Sequence, residues 1–245
     1  MTRGIVLALA LILSLPGQAQ TRYDKLTSKY RISQCKLRVE AIRDRMRPGM
    51  QAIFSVEPRM PVYVTKTLML NAYADGHAIT FSPIICEAFP DDDKFSIIVG
   101  HEIAHNLLGH YAEMLNGMLG GAIAESVFGG LTGIGLGGAG ANIGATVFSK
   151  DREREADYYG LYLAAYAGYD ISGAPELWRE FALQTGGGSG GMTHPSSPER
   201  SARAMLVVVD VAHKKRDAMP LLPDDRPEIE AARQETPTSR GARVE

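Results

Sequence analysis

Residues 96–110 read SIIVGHEIAHNLLGH and place histidines and a glutamate in a segment otherwise rich in Ile, Val, Ala and Leu. At 3.6 residues per turn its apolar side chains point in every direction around a helix axis, and a helix that is apolar on all sides is buried. We therefore predict a buried helix from about Lys94 to Leu115, and the polar side chains buried on it must have partners.

The spacing of the first three polar residues in this segment predicts a metal site. His101 and His105 are four residues apart and share one face of the helix, where two imidazoles can bind one zinc ion. Glu102 is rotated away from that face and can reach a water molecule at the same ion. This HExxH pattern is typical of metallopeptidases, so we predict His101 and His105 as ligands and Glu102 as the catalytic base.

A catalytic zinc site needs a third protein ligand. His110 follows His105 by five residues, which rotates it by about 140° around the helix, so we predict a surface position or a place behind the ligands. In DREREAD, residues 151–157, Glu153 and Asp157 are one turn apart. One of them completes a His₂Glu site while the other orients a ligand, or both simply stabilise the start of their helix.

The rest of the chain predicts more helix than strand. An amphipathic helix from Tyr23 to Arg47 is expected to stop at Pro48-Gly49. The stretch MPVYVTKTLMLNAYADGHAITF, residues 60–81, predicts strands with a turn at ADG. Further helices are predicted at Lys150–Tyr169, Pro175–Gln184 and Arg200–Lys215.

Three segments differ in composition from this predicted domain of residues 20–215. Residues 1–19 have a basic start, an apolar run and small residues before Ala19, which is typical of a signal peptide and predicts a periplasmic or secreted protein. Residues 116–149 are rich in Gly and predict a helical hairpin or lid, with peripheral membrane contact as the alternative. Residues 216–245 are charged and rich in Pro, which predicts a disordered tail.

The two cysteines of the chain, Cys35 and Cys86, both follow the predicted signal peptide. In an oxidising compartment they form a disulfide, or they are two separate buried thiols. The chain of 245 residues has a formal net charge of −2. That balance predicts no nucleic-acid partner.

Three blocks together are similar to a known family. HEIAHNLLGH, SKDREREADYYGLYLAAYAGYD and THPSSPER, at residues 101–110, 149–170 and 193–200, resemble the HtpX- and BepA-type zinc metalloproteases. That family also contains the CAAX prenyl endoproteases and the Oma-type proteases. The resemblance implies a single catalytic domain with a zincin-like α+β fold, mostly helical with a small sheet. It also implies one zinc ion per chain and polypeptide substrates.

The resemblance assigns roles by position. It implies His101, His105 and Glu153 as zinc ligands, Glu102 as the base and Asp157 as the acid behind the ligands. His194 matches a histidine that either approaches the metal and keeps the enzyme latent or helps stabilise the oxyanion. The two remaining matches are the family arginine at Arg200, to which no role is assigned, and NAYADG at residues 71–76, which looks like the edge strand for substrate.

These observations predict an exported zinc endopeptidase, and the resemblance implies that its substrates are unfolded or damaged envelope proteins. Two alternatives remain: a latent or inactive zinc-binding chaperone or assembly factor, and a membrane-bound protease that spans the bilayer with residues 126–149. No helical repeat region of the BepA kind follows the predicted catalytic part, so we expect that a substrate-recruiting module is absent or is supplied by a partner, either an adaptor protein or a homo-oligomer.

Overall fold

The computed structural model describes residues 17–56, 59–67, 70–119, 150–184 and 198–224. Within these ranges the chain forms seven helices and three short strands. In chain order they are α1 (Gly17–Phe54), β1 (Val62–Val64), β2 (Ala72–Ala74), β3 (Ile79–Phe81), α2 (Pro83–Ala88), α3 (Asp92–Leu107), α4 (His110–Leu119), α5 (Lys150–Tyr166), α6 (Ala174–Gln184) and α7 (Pro198–Arg216). The predicted α+β class, mostly helical with a small sheet, is confirmed.

The sheet has the order β1-β3-β2, so that β2 is an edge strand. Strand β3 is fully buried and pairs parallel to β1 and antiparallel to β2. The turn between β2 and β3 is tied to helix α3 by Asn106, whose Oδ1 accepts from the Gly76 amide at 2.7 Å. The Asn106 Nδ2 donates to the Ala78 carbonyl at 2.9 Å. The edge strand is thus held in place by the residue that follows His105.

Helices α3 and α5 cross in direct backbone contact. A Cβ atom added at Gly100 would lie 2.5 Å from the Gly160 carbonyl oxygen, and one added at Gly160 would lie 2.7 Å from the His101 nitrogen. Real Cβ atoms do not approach so closely, so both positions require glycine. This crossing places the HExxH helix against the first turns of α5, which carry Glu153 and Asp157.

Helix α1 is fastened to the segment that leads into α3. Cys35 and Cys86 are joined by a disulfide, and both residues are buried. Arg38 donates to the carbonyls of Cys86 and Phe89 at 2.8 Å each and to Asp92 Oδ1 at 2.7 Å. Asp91 caps α3 by accepting from the Asp93 amide. The start of the HExxH helix is therefore positioned by α1.

The prediction that Pro48-Gly49 ends the first helix was wrong, because α1 continues to Phe54 with Pro48 inside it. A proline inside a helix costs about 3 kcal/mol. Here the buried apolar face, which includes Met46, Met50 and Ile53, runs uninterrupted across the proline. Burial of that face outweighs the local preference to stop.

The single helix predicted from Lys94 to Leu115 is two helices in the structure. Helix α3 ends at Leu107, and Gly109 adopts a left-handed φ of 74° before α4 begins at His110. Glycine adopts that conformation without steric cost, so it ends α3 much as a glycine ends many helices. The break changes the direction in which His110 points.

The tail predicted to be disordered from residue 216 is ordered over its first residues, so that prediction was wrong for residues 216–224. The buried Lys214 Nζ donates to the Leu222 carbonyl at 2.8 Å and to Asp224 Oδ1 at 2.7 Å. It also donates to the Tyr162 hydroxyl of α5 at 2.8 Å and pairs with Asp210 at 3.0 Å. We call Tyr162, Asp210, Lys214 and Asp224 the tail cluster.

Several predicted segments lie outside the described residues. They are residues 1–16 of the signal peptide, residues 120–149 of the Gly-rich segment, His194, and residues 225–245 of the tail. Residues 17–19 of the predicted signal peptide begin helix α1. Within the described part of the chain, no helix is both long and apolar enough to cross a bilayer.

Candidate metal centre

Three buried side chains from two helices converge on one point. His101 Nε2 and His105 Nε2, both on α3, are 3.0 Å apart. Glu153 of α5 places Oε2 3.5 Å from His101 Nε2 and Oε1 3.4 Å from His105 Nε2. Among the residues that the structure describes, these three form the one group of His, Cys, Asp or Glu that is arranged to hold a metal ion.

The donor set fits zinc. Two imidazole nitrogens and one carboxylate are the ligands of a His₂Glu catalytic zinc site. Donor atoms at about 2.0–2.1 Å from a tetrahedral ion lie about 3.3 Å from one another, and the observed separations bracket that value.

Glu102, predicted as the base, lies in the same part of the molecule as the predicted ligands. It is buried and lines a narrow cleft together with His101, Trp178 and Arg200. Ala72 of the edge strand β2 lines the same cleft. A carboxylate there is placed to accept a proton beside the metal ligands without being one of them.

Asp157 holds His101 from behind. Its Oδ1 lies 2.9 Å from His101 Nδ1, the nitrogen opposite the ligand atom. Burial alone raises the pKa of Asp157, but the charge of Arg200 and the hydrogen bond from His101 outweigh burial and lower it. The ionised carboxylate therefore fixes the His101 tautomer that presents Nε2 to a metal.

The structure supplies a role for Arg200, which the sequence left open. Its Nε and Nη2 donate to the two oxygens of Asp157 at 2.8 Å and 2.7 Å, and its Nη1 lies 3.1 Å from Glu153 Oε2. The guanidinium carbon stacks 3.8 Å from the centre of the Trp178 ring. We call Glu153, Asp157 and Arg200 the site cluster, in which one cation from α7 orders both acids of α5.

His110 is buried and contacts the centre, so the prediction of a surface position was wrong and the alternative, a place behind the ligands, is the observed one. Its Nδ1 is 2.9 Å from His105 Nδ1, and its Nε2 is 3.0 Å from Glu155 Oε2. The 140° rotation assumed a continuous helix. The turn at Gly109 returns the His110 ring toward His105.

Three contributors were missed in the sequence. Gly160 lies seven residues after Glu153, on the face of α5 that carries Glu153 and Asp157, and this spacing could have indicated it. Glu155 lies between those acids in sequence but faces α4. Trp178, the single tryptophan of the chain, lies on another helix, and no spacing connects it to Arg200.

A helix pair that joins HExxH to a glutamate at the start of a second helix, beside a small sheet, defines a zincin-like metallopeptidase. The model of Peptidase family M48 matches residues 36–205, which is most of the chain. The chain belongs to Peptidase family M48. The predicted resemblance and the predicted enzyme class, a metallopeptidase, are thereby confirmed at the level of the family, whose members depend on a metal.

Two relatives show the range of the family. The chain is 31% identical over 145 residues to a mitochondrial metalloendopeptidase OMA1 of Arabidopsis thaliana, which covers 57% of this chain and 30% of that protein. It is 28% identical over 149 residues to the metalloprotease LoiP of Escherichia coli, which covers 57% of this chain and 58% of that protein. The chain thus spans about a third to somewhat over half of the length of these relatives.

Proposed function

We propose that this protein is an exported zinc endopeptidase that hydrolyses unfolded or damaged envelope proteins. The observation that carries the proposal is the convergence of His101, His105 and Glu153 beside Glu102. The edge strand β2, which contributes Ala72 to the same cleft, supports an extended polypeptide as substrate because such a strand can pair with another backbone.

The residues divide the chemistry among them. His101, His105 and Glu153 would hold one zinc ion, and the chemistry that zinc supplies in such a site is activation of water for attack on a carbonyl carbon. Glu102 accepts the proton that the attacking water loses. Glu102 then gives that proton to the amide nitrogen as the peptide C–N bond breaks.

Cleavage of an unfolded protein tests the proposal. Mature protein incubated with casein should cleave it, and a chelator should stop cleavage. Glu102→Gln should retain zinc and lose about 10²–10⁴-fold in rate, since a general base contributes that much. Glu113→Gln, at an exposed glutamate of α4, is the matched control and should cleave normally. Unchanged cleavage by Glu102→Gln would remove Glu102 as the base.

The predicted signal peptide supports export, and the Cys35–Cys86 disulfide supports an oxidising compartment. Sequencing the N-terminus of the protein from its source cells should find a chain that begins at Gln20. Carbonate washing of membranes should release it, whereas retention in the membrane would favour a span within residues 126–149.

A second candidate function is a zinc-binding chaperone or assembly factor with a latent site. Its support is that Glu102 and the three ligands are almost fully buried. This candidate predicts stoichiometric zinc without proteolysis, even in His194→Ala, in which the predicted latency contact is removed. Cleavage that appears in His194→Ala alone would instead identify a latent peptidase.

A further inference from the structure

The two histidine ligands have different supports on their outer nitrogens. His101 Nδ1 meets a carboxylate, Asp157, which is itself held by a buried arginine. His105 Nδ1 meets a second imidazole, that of His110, at 2.9 Å. The carboxylate of Asp157 therefore orients His101, and the imidazole of His110, from the next helix, orients His105.

The hydrogen positions along this second support can be assigned from one requirement. If His105 Nε2 is to bind a metal, the neutral imidazole must carry its hydrogen on Nδ1. His105 Nδ1 then donates to His110 Nδ1, which must be unprotonated. The hydrogen of His110 therefore resides on Nε2, which donates to Glu155 Oε2 at 3.0 Å. Every donor in this chain of three residues faces an acceptor.

We propose that His110 and Glu155 are positioning residues for the metal ligand His105. His110 accepts from His105 Nδ1 and so selects the tautomer that presents Nε2, and Glu155 selects the tautomer of His110. The proposal rests on the metal site assigned above. It concerns residues that the HExxH and ExxAD patterns do not include, supplied by the break at Gly109 and the first turn of α5.

The location of the two residues is consistent with that role. His110 is buried, so its ring nitrogens need fixed partners, while the Glu155 side chain is 41% exposed. His110 begins α4 and Glu155 belongs to α5, so the contact also joins these helices. A structural role and a positioning role must therefore be separated by experiment.

The chain offers a matched control for that separation. Arg152 Nε donates to Glu113 Oε2 at 3.0 Å, which joins the same helices α4 and α5 without contacting a ligand. Glu113→Ala removes this link alone. Four further variants remove or keep the hydrogen-bonding atoms of the positioning contact. His110→Phe removes both ring nitrogens, and His110→Asn keeps an acceptor at the δ position. Glu155→Ala removes the terminal acceptor, and Glu155→Gln keeps one.

Zinc affinity, measured by competition with a chromophoric chelator, is the primary readout. Loss of a partner behind a metal ligand typically weakens binding by about 10–100-fold. We expect a loss in that range for His110→Phe and a loss near its lower end, about tenfold, for Glu155→Ala. His110→Asn and Glu155→Gln should recover most of the affinity, and Glu113→Ala should bind as wild type does.

Nitrogen-15 NMR of the zinc-loaded protein is the second readout. In wild type, the hydrogen on His105 Nδ1 should exchange slowly with water, and in Glu155→Ala it should exchange faster. Because this comparison does not use His110→Phe, it remains valid if that variant does not fold. Equal losses in Glu155→Ala and Glu113→Ala, or wild-type affinity in His110→Phe, would overturn the proposal. Failure of wild type itself to bind zinc would instead overturn the metal site.

Discussion

Helices α5 and α7 are joined twice by buried cations, and the two junctions differ in how water reaches their acids. In the site cluster, Arg200 pairs with Glu153 and Asp157, and all three are almost fully buried. In the tail cluster, Lys214 is equally buried, but its acids are open, with 38% of the Asp210 side chain and 71% of the Asp224 side chain exposed.

The difference shows what each cation does for the fold. In the tail cluster, an acid that loses its cation can be hydrated by water. In the site cluster the acids are buried, so the free-energy cost of removing their charge from water is no longer compensated. The pKa values agree in direction, because burial lowers the pKa of both cations while their acid partners outweigh burial and raise it. The site cluster also orients a predicted metal ligand, and the tail cluster holds the segment that follows α7, up to Asp224.

Removal of Arg200 should have the largest effect on stability. Arg200→Met keeps an apolar stem but leaves Glu153 and Asp157 buried without their cation, so the free energy of unfolding should fall by about 3–5 kcal/mol. Urea denaturation in the presence of a chelator measures this without a contribution from metal. Arg203→Met, at an exposed position of the same helix, should cost about 1 kcal/mol or less. A similar small loss at Arg200 would show that the buried acids are neutralised in another way.

Gly160 lies on α5 between the two clusters, and Gly160→Ala should disturb only the site end. The added methyl would overlap the His101 nitrogen, and such overpacking costs about 1–3 kcal/mol. Zinc affinity should fall with the free energy of unfolding, since His101 shifts relative to Glu153. Gly173→Ala, whose Cβ has ordinary contacts with Lys94, is the control and should be neutral or slightly stabilising. Wild-type zinc binding in Gly160→Ala would contradict the proposed contact.

Removal of the other cation should be milder and should spare the metal. Lys214→Met loses the bonds to Tyr162, Leu222 and Asp224, and the exposed acids can be hydrated, so we expect a loss of about 1–2 kcal/mol in unfolding free energy. Zinc affinity should not change. Lys215→Met on the exposed side of α7 provides the baseline. A loss as large as that of Arg200→Met would mean that exposure of the acids does not matter.

The smallest expected effect is the pH dependence of the tail cluster. Burial raises the pKa of Asp210, but hydrogen bonds from Tyr162 and Lys214 outweigh burial and lower it. The ionised form therefore stabilises the fold above the unfolded pKa of about 3.9, and this contribution disappears as the pH falls through the folded pKa. Asp210→Asn should cost about 0.5–1 kcal/mol at neutral pH, and this cost should disappear as the pH falls through the folded pKa of Asp210. A pH-independent difference in urea midpoints would contradict this assignment.

Local pattern was enough to predict the elements that build the metal centre. All-round apolar character predicted the buried HExxH helix, and a four-residue spacing predicted which side chains of α3 converge. The predictions failed where burial overrode propensity, as at Pro48, or where one glycine redirected the chain, as at Gly109.

Contacts between elements that are distant in the chain could not be predicted from the sequence. The resemblance assigned no role to any residue of α6, so Trp178 was not anticipated, and it assigned no role to Arg200. The bonds from Arg200 to Asp157 depend on how α7 lies against α5, which no spacing within either helix determines. His110 was assigned correctly to a place behind the ligands only as one of two alternatives, because its orientation depends on the turn before it.

The covalent link between Cys35 and Cys86 encloses all three strands, including the edge strand that borders the cleft. If one molecule nicks another within residues 36–85, the two fragments stay attached and the long first helix is not shed. Such nicked molecules would migrate as one species on a denaturing gel without reductant and as two with it. The disulfide would thus keep the two fragments of a molecule joined after cleavage by another copy of the protein within that interval.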